Sequence, residues 1–405
     1  MKQLINSNVG QYLEQLSHFG TRPNAGITRF VYDEAWTSAM DFVLSDAQTR
    51  GMKATIDSYG NGFMTYPGKN GNSVIAAGSH IDTVHRAGKF DGAYGVAAAV
   101  IAMSNLVEQY GQPAVTMTAV AFSEEEGSRF PTSFSGSKHY AGVQETPADL
   151  KDDSGTTFAD AKARALATLT KNYEVVEQAL PKEFLELHIE QGPLLEASHV
   201  PLGIVTAICE QKRFTVTIEG QTNHAGTTPQ HLRRDALKAA AALICRLDNE
   251  ASRIGEPLVF TVGEFTVSPG SSNVIPGKVQ FSVDMRHPDK RVVDEFEAFL
   301  RQEVRGLQAV SGEVERWMDS HPAIMDSRLV DQFKRIITDS GQQFIMLPSG
   351  AGHDTQIMNI KVPTAMLFVP SRGGISHAPE EYTKPADLEL GVRILEQQLY
   401  RECYE

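Results

Sequence analysis

Cysteine and long apolar runs are scarce in this 405-residue sequence, and each shortage excludes a class of protein. The three cysteines are odd in number and far apart, and none lies in a Cys-x-x-Cys pair. Neither a disulfide framework nor a thiolate zinc site is therefore expected. No apolar run approaches membrane-spanning length, and residues 1–6 lack the apolar segment of a signal peptide. We expect a cytoplasmic protein with no membrane partner.

Positive charge is also in short supply, because 37 Lys and Arg residues face 50 Asp and Glu residues, for a net charge of −13. Nucleic acid is an unsuitable partner, since a phosphate backbone needs a basic surface. A small anionic substrate is still compatible, because it needs only one local Arg or Lys. With 41% hydrophobic and 21% charged residues, the composition is that of a soluble globular protein, and the length predicts two domains.

The most informative stretch is the apolar run that starts at Val74 and leads to His80, Asp82 and Asp91. A run rich in branched residues predicts a buried parallel strand, and His80 is expected just past its C-terminal end. In open α/β sheets that edge is where ligands bind. Asp82 can turn back to fix the tautomer of the His80 imidazole, as a metal-bound histidine requires. Solvated polar residues at a strand end are the simpler alternative.

Helices and buried strands alternate over the first half of the chain. Amphipathic helices are predicted within residues 1–60 around a polar loop at 21–29, followed by a short strand pair near residue 60. Further buried strands are predicted at 115–123 and 184–192. The clearest helices are 93–109 and 158–169.

The pattern changes at Lys212. Strands near 213–219, 258–267, 278–286 and 313–320 and helices at 233–254 and 292–308 follow in the order β-α-β-β-α-β, which is typical of a ferredoxin-like fold. An α/β pattern then resumes with a helix at 326–340, a turn at 349–354, a strand at 363–369 and a helix after Pro385. We predict an α/β protein in which residues 1–210 and 323–405 form a mostly parallel mixed sheet flanked by helices, with an inserted α+β domain at 211–322.

Residues of the kinds that bind metals follow four predicted strands or their loops. They are His80 with Asp91, Glu124 to Glu126, His188, and His377. Each alone is weak, because a lone histidine is usually structural and three glutamates usually form a solvated turn. Together, three imidazoles and two carboxylates could hold two divalent ions about 3.5–4 Å apart if one carboxylate bridges them. Mixed nitrogen and oxygen ligands suit zinc or a neighbouring transition metal better than magnesium or calcium.

Short motifs along nearly the whole chain resemble the M20 metallopeptidase superfamily. The closest similarity is to its amidase/carbamoylase branch, which includes allantoate amidohydrolases, N-carbamoyl-L-amino-acid hydrolases and β-ureidopropionases. The matching segments, in chain order, are 78–84 (GSHIDTV), 90–92 (FDG), 124–130 (EEEGSRF), 186–192 (ELHIEQG), 224–229 (HAGTTP), 233–235 (RRD), 273–277 (NVIPG), 350–354 (GAGHD) and 374–377 (GISH).

The resemblance implies a catalytic α/β domain, an inserted lid and dimerisation domain, and two divalent metal ions per subunit. Zinc or manganese is expected, with cobalt or nickel as further candidates. His80 and His188 would bind one ion, Glu126 and His377 the other, and Asp91 would bridge them. Glu125, just before the ligand Glu126, would be the general base. Asp82 is expected to belong to the catalytic residues as well.

The resemblance also implies that the lid of a homodimer completes the site. His224 would polarise the scissile carbonyl from the partner subunit. The substrate-binding residues would be Gln191, Gln211, Lys212, Asn273, Arg286, Gly350 and Gly352. Asn273 and Arg286 would hold the substrate carboxylate, to which an arginine fork is well suited. Lys212 departs from the arginine usual in allantoate amidohydrolases and loses the bidentate fork. His85, His139 and His353 are interpreted as structural or supporting residues.

The predicted function is hydrolysis of a ureido C–N bond in a small ureido acid. Allantoate is the favoured substrate, with release of ammonia and carbon dioxide in purine catabolism. An N-carbamoyl-L-amino-acid hydrolase is the first alternative. A dipeptidase is disfavoured by the segments around Gln191 and Asn273. A non-catalytic metal-bound scaffold is disfavoured because it would not need Glu125.

Overall fold

The computed structural model describes residues 8–22, 25–71 and 73–405. Residues 1–6 and the Pro23–Asn24 part of the predicted polar loop lie outside the described residues. The chain forms two compact units, one built from Met1–Thr206 and Met325–Glu405 and the other from Ala207–Ile324. The predicted boundaries at 210/211 and 322/323 lie within four residues of these divisions.

The first part of the first unit alternates strands and helices. Its elements are α1 (Val9–Ser17), α2 (Glu34–Thr49), β1 (Lys53–Ile56), β2 (Gly62–Tyr66), β3 (Val74–His80), α3 (Ala93–Tyr110), β4 (Thr116–Phe122), α4 (Ser135–Tyr140), α5 (Phe158–Leu169), β5 (Glu174–Val175), β6 (Glu183–Ile189), α6 (Leu194–Ala197) and β7 (Leu202–Ile208). Asp33 and Thr157 accept hydrogen bonds from the first turns of α2 and α5, which fixes where these helices begin.

The second unit follows with β8 (Glu210–Glu219), β9 (Asn223–His224), α7 (Ala236–Ile254), β10 (Val259–Thr261), β11 (Phe265–Ser268), β12 (Val274–Ile275), β13 (Lys278–His287), α8 (Lys290–Arg305), β14 (Ser311–Asp319) and β15 (Ala323–Ile324). The chain then returns to the first unit with α9 (Ser327–Asp339), β16 (Phe344–Ser349), α10 (Asp354–Met358), β17 (Thr364–Val369) and α11 (Pro385–Cys403).

The large sheet has four adjacent parallel strands at its centre, in the order β17-β6-β3-β4. Antiparallel strands flank them, with β7 beside β17 and β2 beside β4. These central strands are almost wholly buried, as their continuous apolar sequences require. Because they are parallel, their C-terminal ends meet at one edge of the sheet. The predicted α/β fold class is confirmed.

The second unit has an antiparallel sheet in the order β10-β13-β8-β14. Strands β8, β10, β13 and β14 are, in chain order, the four strands of the predicted β-α-β-β-α-β pattern. Their order in the sheet is that of a ferredoxin-like fold. The predicted strand at 258–267 is two short strands, β10 and β11, which both pair with β13. Apolar side chains on one face of β8 and β13, such as Phe214 and Phe281, pack with Leu243 of α7 and Phe296 of α8 in one core.

Three strands of the first unit were not predicted. They are the two-residue strand β5, β7 and the edge strand β16. Strands β7 and β16 pair with each other, and β16 contains Pro348. The second unit's first strand begins at Glu210 rather than near Arg213, and His80 is the last residue of β3 rather than the first beyond it. In the described parts of the chain, no helix is both long and apolar enough to cross a membrane.

Candidate metal centre

Ligand-type side chains lie at the C-terminal ends of the four central parallel strands. His80 ends β3, Glu124 to Glu126 follow β4, His188 is the next-to-last residue of β6, and His377 lies in the segment after β17. The parallel sheet therefore brings together segments that are up to 297 residues apart in the chain, from His80 to His377 (377 − 80). This edge is the usual ligand-binding position of such a sheet.

Asp91 is buried at the centre of this group, and its two carboxylate oxygens face different histidines. Oδ1 lies 3.3 Å from Nε2 of His188 and 3.7 Å from Nε2 of His80. Oδ2 lies 3.1 Å from Nε2 of His377. On that second side, Oε2 of Glu126 lies 3.7 Å from the same His377 nitrogen. One carboxylate thus stands between two sets of ligand atoms, as a bridging ligand must.

The two fully buried histidines turn Nε2 toward this carboxylate because Nδ1 of each faces a backbone carbonyl. The Nδ1 atoms lie 3.0 Å from the carbonyl oxygen of Asp82 for His80 and 2.8 Å from that of Ile189 for His188. The N–H of Gly92 donates to Nε2 of His188 at 3.1 Å. Gly92 has a φ of +62°, and a Cβ there would lie 2.4 Å from the His80 ring, so only glycine fits.

The three consecutive glutamates occupy three different environments. Oε2 of Glu125 lies 3.7 Å from Nε2 of His80, while Glu126 faces His377. Glu124 is buried with a φ of +56° and belongs to no metal-ligand group among the described residues. Two of the three side chains therefore point toward the histidines.

Asp82 ties this glutamate turn to His80. Its carboxylate accepts hydrogen bonds from the backbone N–H of Glu125 at 3.0 and 3.2 Å and of Glu126 at 3.1 Å. The same carboxylate lies 3.4 Å from Nδ1 of His80, farther than the Asp82 carbonyl oxygen. These contacts give Asp82 a positioning role for both segments.

Several ionisable side chains lie close together at this edge of the sheet. Burial and the charge of Asp91 raise the pKa of Glu126 to about 8, and burial raises the pKa of Glu125 well above its usual range. Burial also raises the pKa of Asp91, but hydrogen bonds with His188 and His377 outweigh it and hold that pKa well below its usual range. A divalent cation would favour the ionised carboxylates that burial otherwise penalises.

The donor atoms fit metal ions. Oε1 of Glu126 is buried, and the described residues give it no hydrogen-bond partner. Among the described residues, five groups of ligand atoms lie close enough together to hold an ion. Two of these groups share Asp91, one with His80 and His188 and the other with Glu126 and His377. Three imidazoles mixed with carboxylates suit zinc or a neighbouring transition metal.

A further carboxylate, missed in the sequence, holds Asp91 in place. Oε1 of Glu381 accepts from the backbone N–H groups of Phe90 at 2.9 Å and Asp91 at 3.2 Å. Its Oε2 accepts from the hydroxyl of Ser376 at 2.8 Å. Gln191, which was predicted to bind the substrate, donates from Nε2 to Oδ2 of Asp91 at 2.8 Å. The available sequence signal was the proximity of Glu381 to His377.

The turn that carries Gly350 and Gly352 joins β16 to α10 and reaches the same edge through His353. The imidazole of His353 is buried, with its centroid 4.6 Å from that of His188 and Nε2 2.9 Å from the Ser349 hydroxyl. Burial lowers the pKa of His353 well below its usual range, so the ring is neutral. This turn therefore packs against a candidate metal ligand.

In the second unit, His224 and Asn273 are neighbours. Strand β9 pairs with β12 through His224 and Val274, and the N–H of Ala225 donates to the carbonyl oxygen of Asn273 at 3.0 Å. The N–H of Gly226 donates to Nδ1 of the exposed His224 at 3.0 Å. Nδ1 therefore acts as a hydrogen-bond acceptor, which leaves Nε2 as the nitrogen that can donate.

The predicted substrate residues of β8 and β13 lie on opposite faces of their sheet. Gln211 and Arg286 are cross-strand partners on the polar face, away from α7 and α8. Lys212 is on the helix-covered face, where only 2% of its side chain is exposed. Its ammonium pairs with Asp294 and, at 2.9 Å, with Glu297. The structure therefore separates Lys212 from Gln211.

This sheet edge and its shared carboxylate define an α/β protein with a candidate metal-binding centre. The chain belongs to the M20/M25/M40 peptidase family, whose model matches residues 76–401. The resemblance seen in the sequence is thereby confirmed, and the chain is a hydrolase of carbon–nitrogen bonds.

Similar proteins include an allantoate amidohydrolase of Bacillus subtilis, 38% identical over 100% of this chain and 99% of its own length. An N-carbamoyl-L-amino-acid amidohydrolase of Paenarthrobacter aurescens is 33% identical over 95% of this chain and 94% of its own. A crystal structure of a hydantoinase/carbamoylase family amidase from Burkholderia multivorans has a TM-score of 0.92 at 31% identity, covering 98% and 97% of the two chains.

Asp91→Ala is expected to abolish binding of both ions, because its two oxygens serve both ligand groups. His377→Ala should empty mainly one site. Metal analysis of purified, reconstituted variants measures this directly. Asp46→Ala is the control, since Asp46 is a buried carboxylate of α2 that pairs with Arg50, just beyond the end of that helix. Two ions per chain in Asp91→Ala would contradict the bridging role.

Proposed function

We propose that this chain is a binuclear metal-dependent amidohydrolase that cleaves a ureido C–N bond, and that its substrate is allantoate. The observation that carries the proposal is the position of Asp91, with one oxygen toward His80 and His188 and the other toward His377. The names of similar proteins support a ureido acid rather than a peptide as the substrate.

Divalent ions held by His80, His188, Asp91, Glu126 and His377 would lower the pKa of a shared water molecule and polarise a carbonyl oxygen. The chain's own residues do the rest.

Glu125 is the general base. It takes the proton of the attacking water and returns it to the leaving nitrogen. Its position beside His80 and its burial-raised pKa suit a carboxylate that must accept and hold a proton. A scaffold without catalysis would have no use for such a side chain.

The second unit supplies the remaining groups. His224 donates from Nε2–H to the developing oxyanion, which its Nδ1 hydrogen bond favours. Asn273 and Arg286 hold the substrate carboxylate. We propose that the protein is a homodimer and that His224 serves the metal centre of the partner subunit.

The second candidate function is hydrolysis of N-carbamoyl-L-amino acids. The Paenarthrobacter aurescens protein carries that name at 33% identity. Both substrate classes share a carboxylate and a ureido group, so the same metal centre could cleave either.

Metal-reconstituted protein is expected to release ammonia from allantoate faster than from N-carbamoyl-L-amino acids or dipeptides. The measurement is ammonia, or amino acid for the dipeptides, with zinc and manganese tested separately. Metal-free protein is the control. Preferred hydrolysis of an N-carbamoyl-L-amino acid would assign the second candidate function, and preferred dipeptide hydrolysis would contradict both.

Glu125→Gln should keep its metal ions but lose about 10²- to 10⁴-fold in kcat, the usual contribution of a general base. His224→Ala should also be nearly inactive. If His224 acts across a dimer, mixing the two variants under conditions of subunit exchange restores activity, because one site of the mixed dimer has neither defect.

Near-normal kcat in Glu125→Gln would mean that another residue is the base, with Glu124 the first to test. Demonstrated subunit exchange without regained activity would refute the assignment of His224 to the partner's site.

A further inference from the structure

Arg29, the last residue of the polar loop that follows α1, is buried with only 1% of its surface exposed. Arginine is almost never buried to this extent unless it is paired. Within the described part of the chain, however, its side chain forms no ion pair. It donates instead to three backbone carbonyl oxygens, from Nε to Ile81 at 2.6 Å and from Nη1 to Leu16 at 3.0 Å and Phe19 at 3.1 Å.

The guanidinium group of Arg29 is a charge inside the first unit. Burial lowers the pKa of Arg29 to about 10, and the negative charges of Asp82 and Asp33 oppose that change. The group is therefore protonated at neutral pH. Asp33 is already bonded to the backbone N–H groups of Phe30 and Trp36, where it begins α2. Asp82 is thus the nearby carboxylate that belongs to the candidate metal centre.

Arg29 holds the chain on both sides of Asp82. Its Nε donates to the carbonyl oxygen of Ile81, the residue before Asp82. Its backbone N–H donates to the hydroxyl of Thr83, the residue after Asp82, at 2.9 Å. Its carbonyl oxygen accepts from the N–H of Thr83 at 3.0 Å. One buried arginine therefore fixes the short segment 81–83 by three hydrogen bonds.

The placement of this segment decides the orientation of two parts of the centre. The carbonyl oxygen of Asp82 faces Nδ1 of His80, and the Asp82 carboxylate accepts from the N–H groups of Glu125 and Glu126. A displacement of residues 81–83 would therefore turn the imidazole of one metal ligand and move the turn that carries another. Groups that orient metal ligands in this way commonly affect metal affinity and activity.

We infer that Arg29 is a positioning residue, which holds residues 81–83 so that Asp82 can orient the metal ligand His80 and the turn that carries Glu125. This inference rests on the proposed function. Arg29 itself lies outside the ligand groups and acts only through Asp82. A lysine cannot replace it, because a single ammonium lacks the planar fork that reaches Ile81 and the end of α1 at once.

The test uses Arg29→Lys in the full-length protein, because this variant keeps the charge and removes the fork. Its affinity for zinc, measured by competition with a fluorescent chelator, should fall about 10-fold, the lower end of the effect of losing a group that orients a ligand. When zinc is restored to the wild-type content, kcat for allantoate should fall about 10-fold while KM stays within about threefold, since Arg29 does not contact the substrate.

A double-mutant cycle with Asp82→Asn separates positioning from general structural damage. If Arg29 acts through Asp82, the loss of zinc affinity in the double variant is smaller than the product of the two single losses. Two independent effects would instead multiply.

Two further variants complete the design. Thr83→Val removes the hydroxyl that accepts from Arg29 and should lower zinc affinity about fivefold, the effect of one hydrogen bond. It also serves if Arg29→Lys does not fold. Arg50→Lys is the matched control, because Arg50 is another buried arginine, but it pairs with Asp46 of α2. This control should leave zinc affinity unchanged even if the melting temperature falls.

Unchanged zinc affinity in both Arg29→Lys and Thr83→Val, or losses that multiply with that of Asp82→Asn, would overturn the positioning role and leave the proposed function intact. A wild-type protein that binds zinc but hydrolyses no ureido acid would refute the proposed function, and the zinc affinities would still decide the role of Arg29. A wild-type protein that binds no divalent ion would refute both.

Discussion

The contact on which this site depends is the one between the buried Asp91 carboxylate and three imidazoles. An ionised carboxylate without partners is costly to bury. Here His80 and His188 face one of its oxygens and His377 faces the other, all within 3.7 Å. That geometry needs four strands to end at the same edge, which only the parallel centre of the sheet provides. The candidate metal centre therefore depends on the parallel arrangement of these four strands.

Around this contact, polar groups fix the orientation of the ligands. Asp82 links His80 to the glutamate turn, Glu381 fixes the backbone at Asp91, and Gln191 donates to the Asp91 side chain. Partners of this kind orient metal ligands and tune their basicity. Asp82 also allows two neighbouring glutamates to have different roles. It holds the backbone of Glu125 and Glu126, while their side chains face different histidines.

Much of this arrangement could be predicted from the sequence. Apolar runs ending in His80, Glu124 and His188 reveal both the buried strands and their polar ends, and the motifs supply the family. The unpredicted strands β7 and β16 are short apolar runs, which periodicity alone does not distinguish from helix. Pro348 also weakens the strand signal of β16, although an edge strand tolerates it.

Side-chain direction was harder to predict than strand position. A shift of one residue moves a side chain to the other face of a sheet. Lys212 and Arg213 are adjacent basic residues, and only the pairing of β8 with β13 reveals which of them lies on the same face as Arg286. Glu381 escaped prediction for a related reason. Its contacts are with the backbone of residues 90–91, nearly 300 positions earlier in the chain (381 − 91 = 290).

X-ray absorption spectroscopy of the metal-loaded protein tests the central claim most directly. If Asp91 bridges two ions, the spectrum of the fully loaded protein contains metal–metal scattering at about 3.5–4 Å, together with imidazole nitrogen and carboxylate oxygen neighbours. Two bound ions without a metal–metal distance in that range would contradict the account, because the ions would then occupy sites that do not share Asp91.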